Sequence, residues 1–365
     1  SAIEALRALS VEKDMPRLAE RWPQEARPLP SSEHCIATQK QFRGSEFDLE
    51  AFGIASSPID LLVPSNSSCS RGSSARFHIW SRDIPAQAMV RLGESVFLSG
   101  PELTILQLCG SYSKLDPVLD ANVAAYWGEK ELMHGLGIEG NPAIDNPLRW
   151  ENAARLIRAA ALACEFSGTY RLPAHTGGDA SYRLRPLMSC GSLRAIARSL
   201  RSTVVENRAL RVADLAFDNS GSPMETALAL MLTLPVAWGG FGLPKPELNG
   251  EIDTSGQRGI LADRNEVTPD LLWRKEGIAV EYDSTEKHGR AGMAQLSEDA
   301  LRSNILTALG YRVLRVTPGV VATIGMIELL ARQIAVLLGV ELETPDGVQV
   351  LRRGKLFAEL MPKRR

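Results

Sequence analysis

Two short runs near the C-terminal third carry the clearest pattern of apolar and polar positions. Pro269-Asp-Leu-Leu-Trp273 and Ile278-Ala-Val-Glu-Tyr-Asp283 are separated by four turn-prone residues, 274–277. Each run has the length and apolar content of a strand, and the short connection predicts a hairpin. With 274–277 as the loop, Trp273 pairs with Ile278 and Asp270 lies opposite Glu281. With a loop two residues shorter, Asp270 lies opposite Asp283. Side chains alternate along a strand, so either register puts Asp270, Glu281 and Asp283 on one face. The other face carries Leu271, Trp273, Ile278, Val280 and Tyr282 and reads as the core side.

The flanking pattern is helical. Ser297 is a candidate cap, with Glu298 and Asp299 in the first turn, and Leu301, Ile305 and Leu309 follow at helical spacing before Gly310. Arg312-Val-Leu-Arg-Val-Thr317 is then a strand. Upstream, Ser222-Pro-Met-Glu225 opens an apolar helix running through Leu234. Ser222 and Glu225 have capping-box spacing, so capping and a site role compete for the Glu225 carboxylate. Residues 249–252 are the candidate first strand of the sheet, and 253–267 are polar and loop-like. Residues 320–340 contain Glu328, Arg332 and Gln333, which predicts a buried amphipathic helix and not a membrane span.

Like charges facing one another across a sheet are unfavourable. Three carboxylates there imply a neutralising group, and a hard divalent cation is the natural candidate because it prefers oxygen ligands. The competing reading is a solvent-facing polar side of an edge hairpin.

The order helix, hairpin, helix, strand and these residues resemble the PD-(D/E)XK nuclease superfamily, in the branch similar to very-short-patch repair endonucleases. The matching residues are Glu225, Asp270, Glu281, Asp283, His288, Asp299 and Arg302, within residues 216–340. The resemblance implies an α/β (α+β) fold with a restriction-endonuclease-like mixed sheet of four to five strands flanked by helices. It implies Mg²⁺ or Mn²⁺ held by Asp270, Glu281 and Asp283, with His288 and Glu225 joining them in catalysis. Lys287, Asp299 and Arg302 are expected to support the site or touch phosphate. One departure is notable: the superfamily's usual lysine, two residues after the second acid, is replaced by Asp283. Lys287, Lys275 and Arg302 are the candidates for the missing charge.

A looser resemblance covers the middle of the chain. Ile59-Asp-Leu-Leu-Val63, Arg76-Phe-His-Ile-Trp80 and the Ser-Gly-Pro-Glu-Leu-Thr stretch opening a helix at 99–104 look like abortive-infection type IV antitoxin-like proteins. The expected organisation is a segment of unclear fold (1–55), an α/β region contacting DNA or a partner (56–215), the nuclease-like domain (216–341) and a basic tail (342–365). The two resemblances imply either a DNA endonuclease or a non-catalytic, antitoxin-like DNA-binding regulator. A toxin or a repair or defence component is the implied protein partner.

Composition narrows this further. The chain has 365 residues, 44% hydrophobic, with a formal charge of −2. It is long enough for two or three domains and is not a polycation, so any nucleic-acid surface must be local. Candidates are Arg76, His78, Trp80 and Arg82 on one strand, arginines 149, 155 and 158 on a helix over 148–166, and arginines 194, 198 and 201 on a helix over 192–202. A solvated face is the competing reading for each. The basic residues after Leu351 suggest a solvated terminus. Five cysteines without close pairs, and no basic-then-apolar leader, suggest a reduced cytoplasmic setting without membrane contact. Trp238-Gly-Gly-Phe-Gly-Leu-Pro reads as a structural turn, since its prolines forbid the helix that a phosphate loop requires.

Overall fold

The computed structural model describes residues 1–11, 18–31, 59–69, 75–93, 96–110, 147–174, 178–201, 203–257, 265–283 and 300–361. The chain is mixed α/β, with several small open sheets, and divides into two units. One comprises residues 1–117 and 166–214, the other 118–165 and 215–365.

The first unit begins with helix α1 (Ala2–Val11) and strand β1 (Arg21–Trp22). It continues with β2 (Ile59–Val63), β3 (Ala75–Ile79), β4 (Met89–Arg91) and β5 (Phe97–Ser99). Strands β1, β4 and β5 form an antiparallel sheet, while β2 and β3 pair in parallel. Helix α2 (Pro101–Cys109) starts with Pro101 at its first turn, where the missing N–H costs nothing. Gly100 precedes it because any Cβ there would sit 2.6 Å from the Ala88 carbonyl oxygen. Buried Glu102 accepts from Arg21 (3.0 Å) and from Ser192 Oγ (2.8 Å), tying β1, α2 and the later helix α4 together. Helix α3 (Pro147–Ser167) belongs to the second unit up to residue 165; the first unit then continues with the hairpin β6 (Tyr170–Arg171) and β7 (Ser181–Tyr182), α4 (Cys190–Ser199) and α5 (Thr203–Leu215).

Two expected cationic surfaces change character. Arg76 and His78 both turn onto Asp60, at 3.4 and 2.8 Å, so the Arg76 charge is answered within the sheet. Trp80 is buried and donates its indole N–H to the Asp83 carbonyl. Helix α4 ends at Ser199, so Arg201 lies beyond it with a positive φ of 49° and does not share a face with Arg194 and Arg198.

The second unit is built around helix α6 (Pro223–Thr233) and a four-stranded mixed sheet. Its strands are β8 (Glu247–Leu248), β11 (Leu271–Trp273), β12 (Ile278–Tyr282) and β13 (Arg312–Val316), in spatial order β13-β12-β11-β8. The hairpin takes the first of the two expected registers, with Trp273 opposite Ile278 and Leu271 opposite Val280. Strand β13 runs parallel to β12 after helix α7 (300–308), as a crossover connection demands. The expected strand at 249–252 is instead split. Its place is taken by β8, Asn249 bends the chain with φ 47°, and β9 (Ile252–Asp253) pairs separately with β10 (Glu266–Val267).

Both faces of the hairpin are buried, which the simple core-face and polar-face division did not anticipate. Leu271, Trp273, Ile278 and Val280 fill one side. On the other, Leu272 and Ala279 pack with Ile252, Val267, Ile305 and Leu306. Helix α7 buries Ile305 and Leu306, while Leu301 is 57% exposed and does not join the core. The acids therefore emerge from the rim of an apolar cluster and do not line a wet edge.

Helix α8 (Ile324–Leu338) buries Ile327, Leu330, Ala331, Ile334 and Ala335. Up to Met361, the basic segment beyond Leu351 is folded and is not a solvated terminus. Asp346 and Gln349 form a capping box that starts helix α9 (Gly347–Leu360), and Leu351, Leu356 and Leu360 are buried. Arg353 stacks over the Phe241 ring at 4.1 Å. The glycine turn at 239–242 proves structural: a Cβ on Gly239 would meet the Arg352 carbonyl oxygen at 2.3 Å.

Leu306→Ala is expected to destabilise the chain by about 2–5 kcal/mol through the cavity it leaves. Leu301→Ala should change stability by no more than about 0.5 kcal/mol. Urea unfolding of the two variants checks both.

Candidate functional site: a buried acid cluster with one arginine

Three secondary elements deliver three carboxyl groups to the same end of the sheet. Asp270 stands one residue before β11, Glu281 lies near the end of β12, and Glu225 sits in the first turn of α6. Continuing the hairpin register by one step sets Asp270 opposite Glu281. All three are buried, at 8% exposure for Asp270, 2% for Glu281 and 8% for Glu225. The solvent-facing reading of this hairpin side is thereby excluded.

Each acid has protein donors. Asp270 Oδ2 accepts the Tyr282 backbone N–H at 2.5 Å. Glu225 Oε2 accepts from the Gly221 N–H at 2.8 Å and from Asn249 Nδ2 at 2.7 Å. Ser222 Oγ caps the same turn by accepting the Glu225 N–H. Glu225 therefore both secures the backbone before its helix and contributes charge to the cluster, two roles that its sequence spacing sets in competition. Glu281 Oε2 accepts from Arg302 Nε at 3.0 Å and from Ser303 Oγ at 3.3 Å, and Arg302 Nε stands 2.8 Å from Oε1 as an ion pair. Arg302 and Ser303 lie on α7, so the helix that packs on the sheet also brings the cation.

The electrostatics follow from this geometry. Burial, reinforced by the Glu225 charge, pushes the Asp270 carboxyl up to about 8. The Tyr282 N–H and the Arg302 guanidinium oppose that rise, and Glu281 adds to it. Burial also raises Glu225, against the pull of Asn249, the Gly221 N–H, Ser222 and Arg302. Arg302 thus acts on all three acids: by contact with Glu281 and through space on the other two.

Asp283 stands apart from this trio. Arg315 donates to its Oδ2 at 2.8 Å, and its own N–H donates to the Val316 carbonyl. It is the end of the β12–β13 ladder, held by a strand arginine. Arg315 and Asn249 were not among the residues singled out from sequence. Arg315 was open to register counting, because β13 pairs it with Glu281. Asn249 was not, because its approach to Glu225 depends on the bend after β8. Lys275 lies exposed in the hairpin turn, at the opposite end of the strands from the acids, and cannot supply their counter-charge. His288, Lys287, Asp299 and the capping Ser297 lie outside the described residues.

Among the described residues the donor set suits a hard divalent cation in kind: carboxyl oxygens on three anchored elements, with Arg302 beside them. The carboxyls do not form a ready cage, since among the described residues no three His, Cys, Asp or Glu side chains are placed to hold an ion together. No family model, curated protein or solved structure matches the chain. Among the described residues no helix is long and apolar enough to cross a membrane.

The raised Asp270 value carries a pH signature. Below about 3.8 the group is protonated in both folded and unfolded chains, and its contribution to stability is complete. As pH rises toward about 8 the unfolded chain gives up this proton first, so that contribution is progressively lost. Asp270→Asn is expected to flatten the fall in melting temperature across this window, measured by thermal denaturation in chelator. An unchanged pH profile would contradict the assignment.

Proposed function

We propose that the second unit is a metal-dependent hydrolase of phosphodiester bonds, acting on DNA. The carrying observation is the buried convergence of Glu225, Asp270 and Glu281 from three elements onto one face, with Arg302 as the cation acting on all three. Burying carboxyls this way opposes stability unless a partner offsets the cost, so the arrangement points to use at the site. The four-stranded mixed sheet and the order helix, hairpin, helix, strand support a PD-(D/E)XK-like fold.

In this reading Asp270 and Glu281 hold Mg²⁺ or Mn²⁺, with Glu225 as the third carboxyl. A bound ion of this kind acidifies a water and takes up charge on the phosphate. Asp283 is tied to Arg315 and supports the strand end, so it is a weaker candidate ligand than its spacing suggests. Arg302 supplies positive charge where the superfamily usually places a lysine. His288 remains part of the proposal as a proton donor or acceptor. The upstream unit would contact DNA or a protein partner.

One observation favours a second reading, a non-catalytic antitoxin-like regulator. Glu281 is paired with Arg302, and burial favours the neutral form of Asp270, so part of the cluster's charge is answered without an ion.

Plasmid and single-stranded DNA incubated with Mg²⁺, Mn²⁺ or chelator separate the two. The hydrolase reading expects metal-dependent cleavage, reduced at least ~100-fold in Asp270→Ala/Glu281→Ala, the scale of losing a metal-held transition state. Failure of folded, metal-supplied protein to cut any substrate would favour the regulator.

A further inference from the structure

We propose that the outer face of helix α8 is a pairing surface for a second copy of this chain, met antiparallel across a two-fold axis. The proposal does not depend on the metal-dependent reading above. Among the described residues, α8 is the helix that exposes more than one large apolar side chain. Met326, Leu329 and Val336 are 40%, 55% and 79% exposed, while Ile327, Leu330, Ala331, Ile334 and Ala335 hold the other side in the core. Gln333 is also exposed and completes a stripe of positions 326, 329, 333 and 336, at spacings of three, four and three. That is the recurrence by which one helix packs along another. The apolar part presents roughly 300 Å², the size at which a patch on a monomer marks an interaction surface.

The stripe itself selects the partner. Its spacing reads the same in both directions, so an antiparallel copy matches it about an axis level with residue 331. Met326 then packs on the partner's Val336, and Leu329 packs on the partner's Gln333. Charge agrees with this arrangement. Glu328 and Arg332 lie one turn apart beside the stripe, bonded to each other at 2.7 Å, and Glu328 also accepts from Arg353 at 3.3 Å. Antiparallel pairing brings each Arg332 close to level with the partner's Glu328, so opposite charges flank the axis. Parallel copies would set Arg332 level with the partner's Arg332, an unfavourable match. The stripe carries no charge of its own, which suits an equally uncharged surface and not a phosphate backbone. Gln333 is the one polar residue in the seam and fixes its register, as a lone polar residue does between paired helices. The stripe falls well short of the roughly 800 Å² that each partner buries in a standard interface. The dimer is therefore weak, half-dissociated at a concentration on the order of 10–100 µM.

The test is sedimentation velocity on the full chain across roughly 1–300 µM, the range in which an interface this small fills. The wild type should pass from monomer to dimer. Val336→Glu and Leu329→Glu should stay monomeric throughout, with melting temperatures close to the wild type because both positions face outward. Arg332→Glu, which sets like charges beside the axis, should weaken the dimer about ten-fold or more. Direction is read by oxidising an equal mixture of Met326→Cys and Val336→Cys chains. The mixed disulfide should exceed either self-linked dimer, since the chain's own cysteines contribute equally to all three. A wild type that remains monomeric to the highest concentration overturns the proposal. So does a dimer that both glutamate variants retain, which places the contact on another surface. A marked loss of melting temperature in both glutamate variants also overturns it, because the face is then covered by the chain's own residues. Self-linked dimers in excess over the mixed one overturn the antiparallel pairing.

Discussion

The burial of three carboxyl groups beside the Arg302 guanidinium is the constraint on which the second unit turns. Apolar packing sets it up. Leu272 and Ala279 on the hairpin press against Ile305 and Leu306 of the covering helix, and this contact draws Arg302 and Ser303 over Glu281. The same packing removes water from Asp270 and Glu225, so charge that would be cheap at a sheet edge becomes costly. The Tyr282 N–H, Asn249, Gly221 and Arg302 each offset part of that cost. None of them stands in isolation: moving α7 would expose the apolar cluster and strand Glu281 without its arginine.

Much of the local structure was legible from residue order. The four-residue turn at 274–277 set the hairpin, and alternation placed Asp270 and Glu281 together. Helix α7 and strand β13 followed from periodicity and from Gly310. What alternation alone did not show is that the acid side would also be covered. Leu272 and Ala279 share it, and two apolar side chains on a short strand pair were the signal for a second packed face. Leu301 misled for a related reason: it has helical spacing with Ile305, but the sheet meets the helix along Ile305 and Leu306.

Tertiary approach was the harder part. Glu225 reads equally well as a cap, and only the fold brings its carboxyl within electrostatic reach of Asp270. On the cationic strand and helix of the first unit, acids elsewhere in the chain answer part of the charge: Asp60 meets Arg76 and His78, and Asp214 meets Arg194. Counting positive residues along one element cannot reveal a carboxylate contributed by another. The basic C-terminal segment shows the same effect in reverse, since its leucines fold it into the core as α9.

The most direct measurement is an anomalous difference map from crystals of the full chain grown with Mn²⁺. The expected result is a peak in contact with both Asp270 and Glu281. A clean map at that position, with Mn²⁺ found elsewhere or nowhere, would contradict the assignment of this cluster as a cation site.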